Sequence, residues 1–383
     1  MKTKMLSIVM MTMILVFTSA CSSTTKKEQN AADSANSLKA ALDGKFYMGV
    51  AMNEAQIMGM DTLSLRVIEK HFNSAVAENV MKSGPIHPEE GKYEFEAPDK
   101  FIAYTQEHDM YSVGHCLVWH SQAPRWFFTD EEGNDVSREV LIERMRSHIE
   151  TVAGRYKGKV DAWDVVNEAF NDDGSWRETK FYEIIGEDYF KIAFQIAHEA
   201  DPEAELLYND YSMFNKGRRE AVIRMVKEMQ AEGVPIHGIG MQAHYGMGFP
   251  SIEAFEESIV AFSETGLPVH ITEFDIDALP SRRSIQGAEV SEKEAYEKML
   301  NPYQDGLPDS VNIALNERWM DFFDVLLKHH DKIKRVTMWG LADHHSWKNG
   351  WPIRGRTNYP LLFDRNYKPK PVVDELIKKA NTL

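Results

Sequence analysis

Residues 160–169 read VDAWDVVNEA. Apart from Asp161 and Asp164, apolar and β-branched residues fill this run up to Asn167 and Glu168 near its end. A run of that kind reads as a buried parallel strand, because both faces of such a strand are covered. Working outward, seven more runs share the character: FYMGVAM (46–52), FNSAVAEN (72–79), YSVGHCLVW (111–119), ELLYND (205–210), HGIGMQAH (237–244), PVHITEFD (268–275) and KRVTMWGLAD (334–343). Amphipathic helix patterns lie between them at Asp61–His71, Asp99–Glu107, Ser137–Tyr156, Phe181–Glu199, Gly217–Glu232, Ile252–Glu264 and Ile313–Lys332. A last helix, Pro371–Ala380, closes the chain. Eight strands alternating with helices predict an α/β fold, a (β/α)8 barrel of the TIM type. No repeat and no linker follows Lys45, so residues 45–383 are expected to form one domain.

The unusual polar residues fall mostly at the ends of these runs. The second strand ends in Glu78 and Asn79, with Lys82 just beyond. The third gives His115, Trp119 and Gln122; the fourth gives Asn167 and Glu168. Asn209, Asp210 and Tyr211 end the fifth, Gln242 and His244 the sixth. Glu273 and Asp275 end the seventh, and Trp339, Asp343 and Trp347 follow the eighth. Taken singly, each has a plain structural reading as a cap, an ion pair or a core residue. Together they converge on the face of a barrel where active sites are built. Glu168 and Glu273, on strands far apart in sequence, then become an opposed carboxylate pair. Such a pair suits cleavage of a glycosidic bond, which needs a proton donor and a nucleophile or base.

Charge and termini bound the partners. The net charge is -16, which argues against nucleic acid or an anionic membrane surface. It fits a neutral polymer. At the N-terminus Lys2 and Lys4 precede an apolar run from Met5 to Phe17, then Thr18, Ser19 and Ala20. That is the pattern of an export signal over residues 1–20. The run is shorter than the ~20 residues a membrane-spanning helix needs. Cys21 follows directly, and the segment resembles a bacterial lipoprotein signal, with Thr18 where leucine is usual. The resemblance implies lipidation at Cys21 and an anchored place at the cell envelope, in the outer membrane or periplasm. An ordinary signal cut near Ala20 would instead give a secreted protein. Residues 21–44 read as a flexible tether. Cys116 is the only other cysteine, so neither a disulfide nor a cysteine metal site is expected. The long polar stretch Asp277–Ser310 has a length usual for functional or disordered loops, and reads equally as a tolerated surface insertion.

The motifs WDVVNEA, GHCLVWHSQ, FNSAVAENVMK, LLYNDYS, GIGMQAH, ITEFDI and MWGLADHHSW resemble those of family 10 of the glycoside hydrolases, the retaining endo-β-1,4-xylanases. The likeness runs from about Phe46 to Leu376 and keeps chain order. It implies a general acid/base role for Glu168 and a nucleophile role for Glu273. A retaining pair lies ~5–5.5 Å apart. His244, held by Asp275 and donating to Glu273, would keep that carboxylate ionised. Asn167 would reach the 2-hydroxyl of the sugar at the cut. By resemblance Glu78, Asn79 and Lys82 bind the preceding sugar. His115, Gln122 and Gln242 line the cleft, with Trp119 forming an apolar wall. Asn209 is counted with the substrate-binding residues. Trp339 and Trp347 would stack on sugar faces and disfavour glucose, and Tyr211 would stack on the leaving-group side.

The doublet His344-His345 reads as cleft wall or packing. No cofactor and no metal is implied, since no histidine pair with a third ligand has metal spacing. The expected partner is xylan or a xylo-oligosaccharide, with the membrane reached only through the lipid and the protein a monomer. Two rivals remain at this point. One is an enzyme acting mainly on another β-1,4-glycan. The other is a non-catalytic glycan binder, which would have no need of both carboxylates and Asn167.

Overall fold

The computed structural model describes residues 36–280 and 298–383. The signal, Cys21 and residues 281–297 of the long stretch after the seventh strand lie outside the described residues. Nine parallel strand segments form the sheet. They are β1 (Tyr47–Met52), β2 (Ser74–Ala77), β3 (Tyr111–Trp119), β4 (Ala162–Asn167), β5 (Glu205–Asp210), β6 (Gly238–Met241), β7 (His244–Gly246), β8 (Val269–Asp277) and β9 (Ile333–Met338). Neighbours pair in sequence from β1 to β6, β6 pairs with β8, β8 with β9, and β9 returns to β1. The sheet is thus a closed eight-stranded barrel, and helices lie between the strands.

The sixth barrel strand comes in two pieces. After Met241 the chain breaks at Gln242 and Ala243, and Ala243 takes a left-handed φ of 62°. It resumes as β7, where His244 pairs with Asp275 of β8. This extra pairing carries β8 on to Asp277, so Glu273 sits inside its strand and not at the end.

Three helices depart from expectation. The helix expected from Asp99 begins at Glu96, because Pro98 is tolerated in a first turn. The helix expected over Phe181–Glu199 is two, Lys180–Ile185 and Asp188–Ala200, divided at Gly186 with φ 85°. The helix expected over Ile313–Lys332 runs Asp309–Lys328, and His330–Lys332 is a separate 3-10 turn.

The tether boundary also moves. Ser37 caps a short helix, Leu38–Ala41, in which Leu38 and Ala41 are buried. Lys39 donates to the Glu69 carbonyl at 2.6 Å. Residues 37–44 therefore belong to the compact body and not to a tether.

Period-two alternation sends one set of strand residues outward to the helices and the other into the barrel. A small apolar cluster, including Ala51, Val76, Val113, Ala162, Leu207 and Trp339, fills part of the interior. Polar side chains share that space on the same parity: His115 and Asp164 bond at 2.9 Å, and Arg335 reaches His270 at 3.2 Å.

Candidate active site

Glu168 is the first residue past β4. Its φ is 62°, a region uncommon for any residue but glycine. Its N–H donates to the Asn209 carbonyl at 2.9 Å, and its own carbonyl accepts from Arg177 Nε at 3.0 Å. Both backbone polar groups are therefore held. The carboxylate accepts from Gln242 Nε2 at 3.1 Å.

Glu273 lies where the pairing of β8 with β9 shifts register, between Ile271 and Phe274. A bulge of this kind re-aims side chains. The residue is nearly enclosed, at 5% exposure. Oε1 accepts from Asn209 Nδ2 at 2.8 Å and Oε2 meets His244 Nε2 at 3.1 Å. Burial pushes the Glu273 pKa up, but the hydrogen bond from His244 and the charges of His115, His244 and Lys82 outweigh it. The net position is below the ordinary carboxylate value.

Three side-chain amides join the two carboxylates. Gln242 Nε2 reaches Glu168 and, at 3.2 Å, Asn167 Oδ1. Asn209 Nδ2 reaches the same Asn167 oxygen at 3.1 Å as well as Glu273. Thr272 donates its hydroxyl proton to Asn209 Oδ1 at 2.6 Å, which fixes the orientation of that amide. Asn167 Oδ1 thus accepts twice, so the amide nitrogen of Asn167 is turned the other way. Gly240 makes room for the network, since a Cβ there would lie 2.5 Å from Asn209 Oδ1.

His244 links Glu273 to Asp275, its Nδ1 lying 3.0 Å from Asp275 Oδ2. Burial lowers the His244 pKa, yet the charge and hydrogen bond of Asp275 and those of Glu273 raise it to about 9. Asp275 is wholly buried. Trp347 Nε1 donates to it at 3.1 Å and the Lys348 ammonium lies 3.2 Å away. Trp347 is still 38% exposed, with its ring edge-on to His244.

The second strand and its loop supply a further group. Lys82 donates to Asn79 Oδ1 at 2.9 Å and lies 5.1 Å from the Trp119 ring centre. Burial raises the Glu78 pKa, Lys82 and Asn79 oppose it, and Glu273 adds to the rise. Trp339 is mostly enclosed, edge-on to His115. His115 is buried against Asp164 and exposes no edge. Asn209 is likewise enclosed: it was expected to face substrate, but both ends of its amide are engaged by Thr272, Asn167 and Glu273. Its work is to hold Glu273. Gln122 stands exposed and joins none of these bonds.

Tyr211 follows Asp210 at the end of β5. Asp210 accepts from the Tyr208 hydroxyl at 2.5 Å and from the Tyr211 N–H at 2.8 Å. Burial raises the Asp210 pKa to about 7 against the pull of Arg218 and Tyr208. His344 and His345 face Tyr367 and Asp61, at 3.2 and 3.4 Å, and serve as packing. Among the described residues no cluster of metal-ligating side chains occurs.

Sequence reasoning gave no role to Arg177, Lys348 or Asp164. Lys348 lies 73 positions from Asp275, and no periodicity connects the two. Asp164 carried a usable signal, since it shares the inward parity of Ala162 on β4.

A parallel barrel whose mouth links two carboxylates through a buried amide chain has the equipment of a glycoside-cleaving barrel enzyme. The chain matches the model of "Glycosyl hydrolase family 10" over residues 37–379. It is 50% identical over 341 residues to endo-1,4-beta-xylanase A of Xylanibacter ruminicola, covering 89% of this chain and 92% of that protein. A solved GH10 endoxylanase retrieved from a sugarcane soil metagenome is 44% identical with a TM-score of 0.84, covering 90% of this chain and 99% of that one. Another solved structure, a mutant in complex with xylotriose, is 35% identical with a TM-score of 0.78, covering 89% of this chain and 99% of that one. The chain belongs to glycosyl hydrolase family 10.

Proposed function

We propose that this chain hydrolyses internal β-1,4-xylosidic bonds of xylan with retention of configuration. The observation that carries the reading is the paired setting of Glu168 and Glu273 in a chain half identical to an endo-1,4-beta-xylanase. Glu273, held ionised by His244, attacks the anomeric carbon and forms a glycosyl ester. Glu168 donates its proton to the departing oxygen. In the second step Glu168 takes a proton from water, which attacks the same carbon and frees Glu273. The amide nitrogen of Asn167, turned away from Gln242 and Asn209, donates to the 2-hydroxyl of the sugar at the cut, a contact that strengthens as positive charge grows on the ring. The xylotriose held by a relative supports the choice of substrate.

The test is chemical rescue. Glu168→Ala loses xylan cleavage but keeps more activity on xylobiosides whose leaving group needs no proton. Azide restores turnover on those substrates and gives the β-glycosyl azide, because the open space lies on the face that Glu168 occupied. An α-azide product, or rescue by azide at Glu273→Ala alone, would overturn the assignment of roles.

A further inference from the structure

We infer that Arg177 is a positioning residue that sets the proton donor in register with the leaving-group sugar. The inference rests on the acid/base reading of Glu168.

The sequence after Glu168, AFNDDGSWR, folds straight back on itself. Asn171 N–H donates to the Ser175 carbonyl at 2.9 Å, and Phe170 bridges Trp176 in antiparallel fashion. Asp173 turns the tip by accepting from the Ser175 N–H at 2.9 Å. Gly174 has φ 87° and lies so near Gly217 that a Cβ would be 2.5 Å from its carbonyl oxygen. The hairpin therefore needs glycine at that point, and it returns Arg177 to the side of Glu168.

Besides a longer bond from Nη2 to the Phe170 carbonyl at 3.4 Å, Arg177 makes two close bonds of different kinds. Nε holds the Glu168 carbonyl at 3.0 Å, and Nη2 holds the Tyr211 hydroxyl at 2.6 Å. The Tyr211 ring is also covered by the Arg218 guanidinium, 4.3 Å from its centre. One rigid planar group thus ties the backbone of the acid to Tyr211, the ring that the family resemblance puts on the leaving-group side. Lysine could not do this, since its ammonium is a point charge without a fork. Glu168 needs such a tie. A left-handed backbone at a non-glycine residue persists only when its surroundings over-determine it. The Asn209 carbonyl fixes its N–H, and Arg177 fixes its carbonyl. Without the second bond the peptide after Glu168 is held only by its N–H, which Ala169 donates to the Tyr208 hydroxyl at 3.0 Å, and its carbonyl side can tilt and shift the carboxylic acid relative to the departing oxygen. The step that suffers is proton transfer to a poor leaving group.

The test compares leaving groups. Arg177→Met and Arg177→Lys are expected to lower kcat/KM on xylan by roughly tenfold to a hundredfold, the scale of a small misplacement of a reacting group. On 2,4-dinitrophenyl xylobioside, whose cleavage needs no proton, kcat/KM should fall by about threefold or less. Tyr211→Phe keeps the ring, removes the hydroxyl, and should show the same pattern in weaker form. Thermal unfolding of each variant checks that the barrel is intact. Equal losses on both substrates would assign Arg177 a general structural role and overturn the inference, as would an unchanged kcat/KM on xylan. A β-azide product from Glu168→Ala alongside equal losses at Arg177 would retire this inference alone. Failure of the azide rescue would retire the acid/base reading beneath it.

Discussion

His244 stands between two carboxylates, and its proton is what keeps Glu273 charged. Its pKa of about 9 means that it is protonated through neutral pH. Glu273 is accordingly held below its ordinary value despite burial. In the free enzyme the acidic limb of kcat/KM reports this ionisation. His244→Asn keeps a neutral donor of similar size and removes the charge. The expected outcome is an acidic limb moved upward, because burial is then opposed by less positive charge, together with a lower kcat. A pH profile of kcat/KM on an activated xylobioside reads this directly, and an acidic limb at the wild-type position would contradict it. The His244–Asp275 pair was legible in the sequence, because both residues close neighbouring apolar runs, HGIGMQAH and PVHITEFD. Lys348 was not. It reaches Asp275 from a turn beyond β9, and no local rule ties a turn residue to a strand residue so distant. Asn209 was found but misread, since sequence shows that a polar group faces the mouth and not whether its bonds are already spent.

At the scale of elements, the eight barrel positions could be read because apolar β-branched runs and helical periodicity differ plainly. The break in the sixth strand could not. Nothing in GIGMQAHYG marks Gln242 and Ala243 as the place where pairing passes from β6 to β7, since the cause is the network that Gln242 enters. Glycines on the strands separate stability from function. Gly114 of β3 pairs with Trp163 of β4, and a Cβ there would lie 2.2 Å from the indole of a fully buried side chain. Gly114→Ala should cost about 1–3 kcal/mol in overpacking. The denaturant midpoint should fall while kcat of the folded fraction changes little. Gly240→Ala presses instead on Asn209 Oδ1, at 2.5 Å, and on Thr272 Cγ2, at 3.0 Å. Displacing Asn209 withdraws a donor from Glu273, so kcat on xylan should drop by roughly tenfold or more. Equal kcat for the two variants would show that the amide chain does not control Glu273.

Over the whole molecule, burial of histidine sets the response to acid. Burial first, and in several cases a nearby positive charge, lowers the pKa of eight histidines. Those of His71, His87, His120 and His345 fall to about 4 and that of His148 to about 3, while His237, His270 and His344 are shifted the same way. His87 and His148 face each other at 3.1 Å through their Nδ1 atoms, an arrangement that holds one proton between them. Below the ordinary histidine value of about 6.5 the unfolded chain binds protons that the folded chain refuses, so stability falls with pH. Four carboxyls raised by burial, those of Glu78, Asp201, Asp210 and Asp343, act in the opposite sense. The five histidines held near 4 or 3 each refuse a proton across most of the interval from about pH 6.5 to 4, so the net change there is a loss. His244 adds nothing to that loss, because both states are protonated there. Its stabilising share is complete below its unfolded value and disappears as pH rises through about 9. Melting temperature should therefore be highest between about pH 6.5 and 7, fall steeply toward pH 4 and decline again toward pH 9. Thermal unfolding at constant ionic strength from pH 4 to 9 measures it, and a melting temperature at pH 4.5 equal to that at pH 7 would refute the histidine account. His87→Gln should flatten the acid side of that curve, since it removes one group that the folded chain keeps neutral.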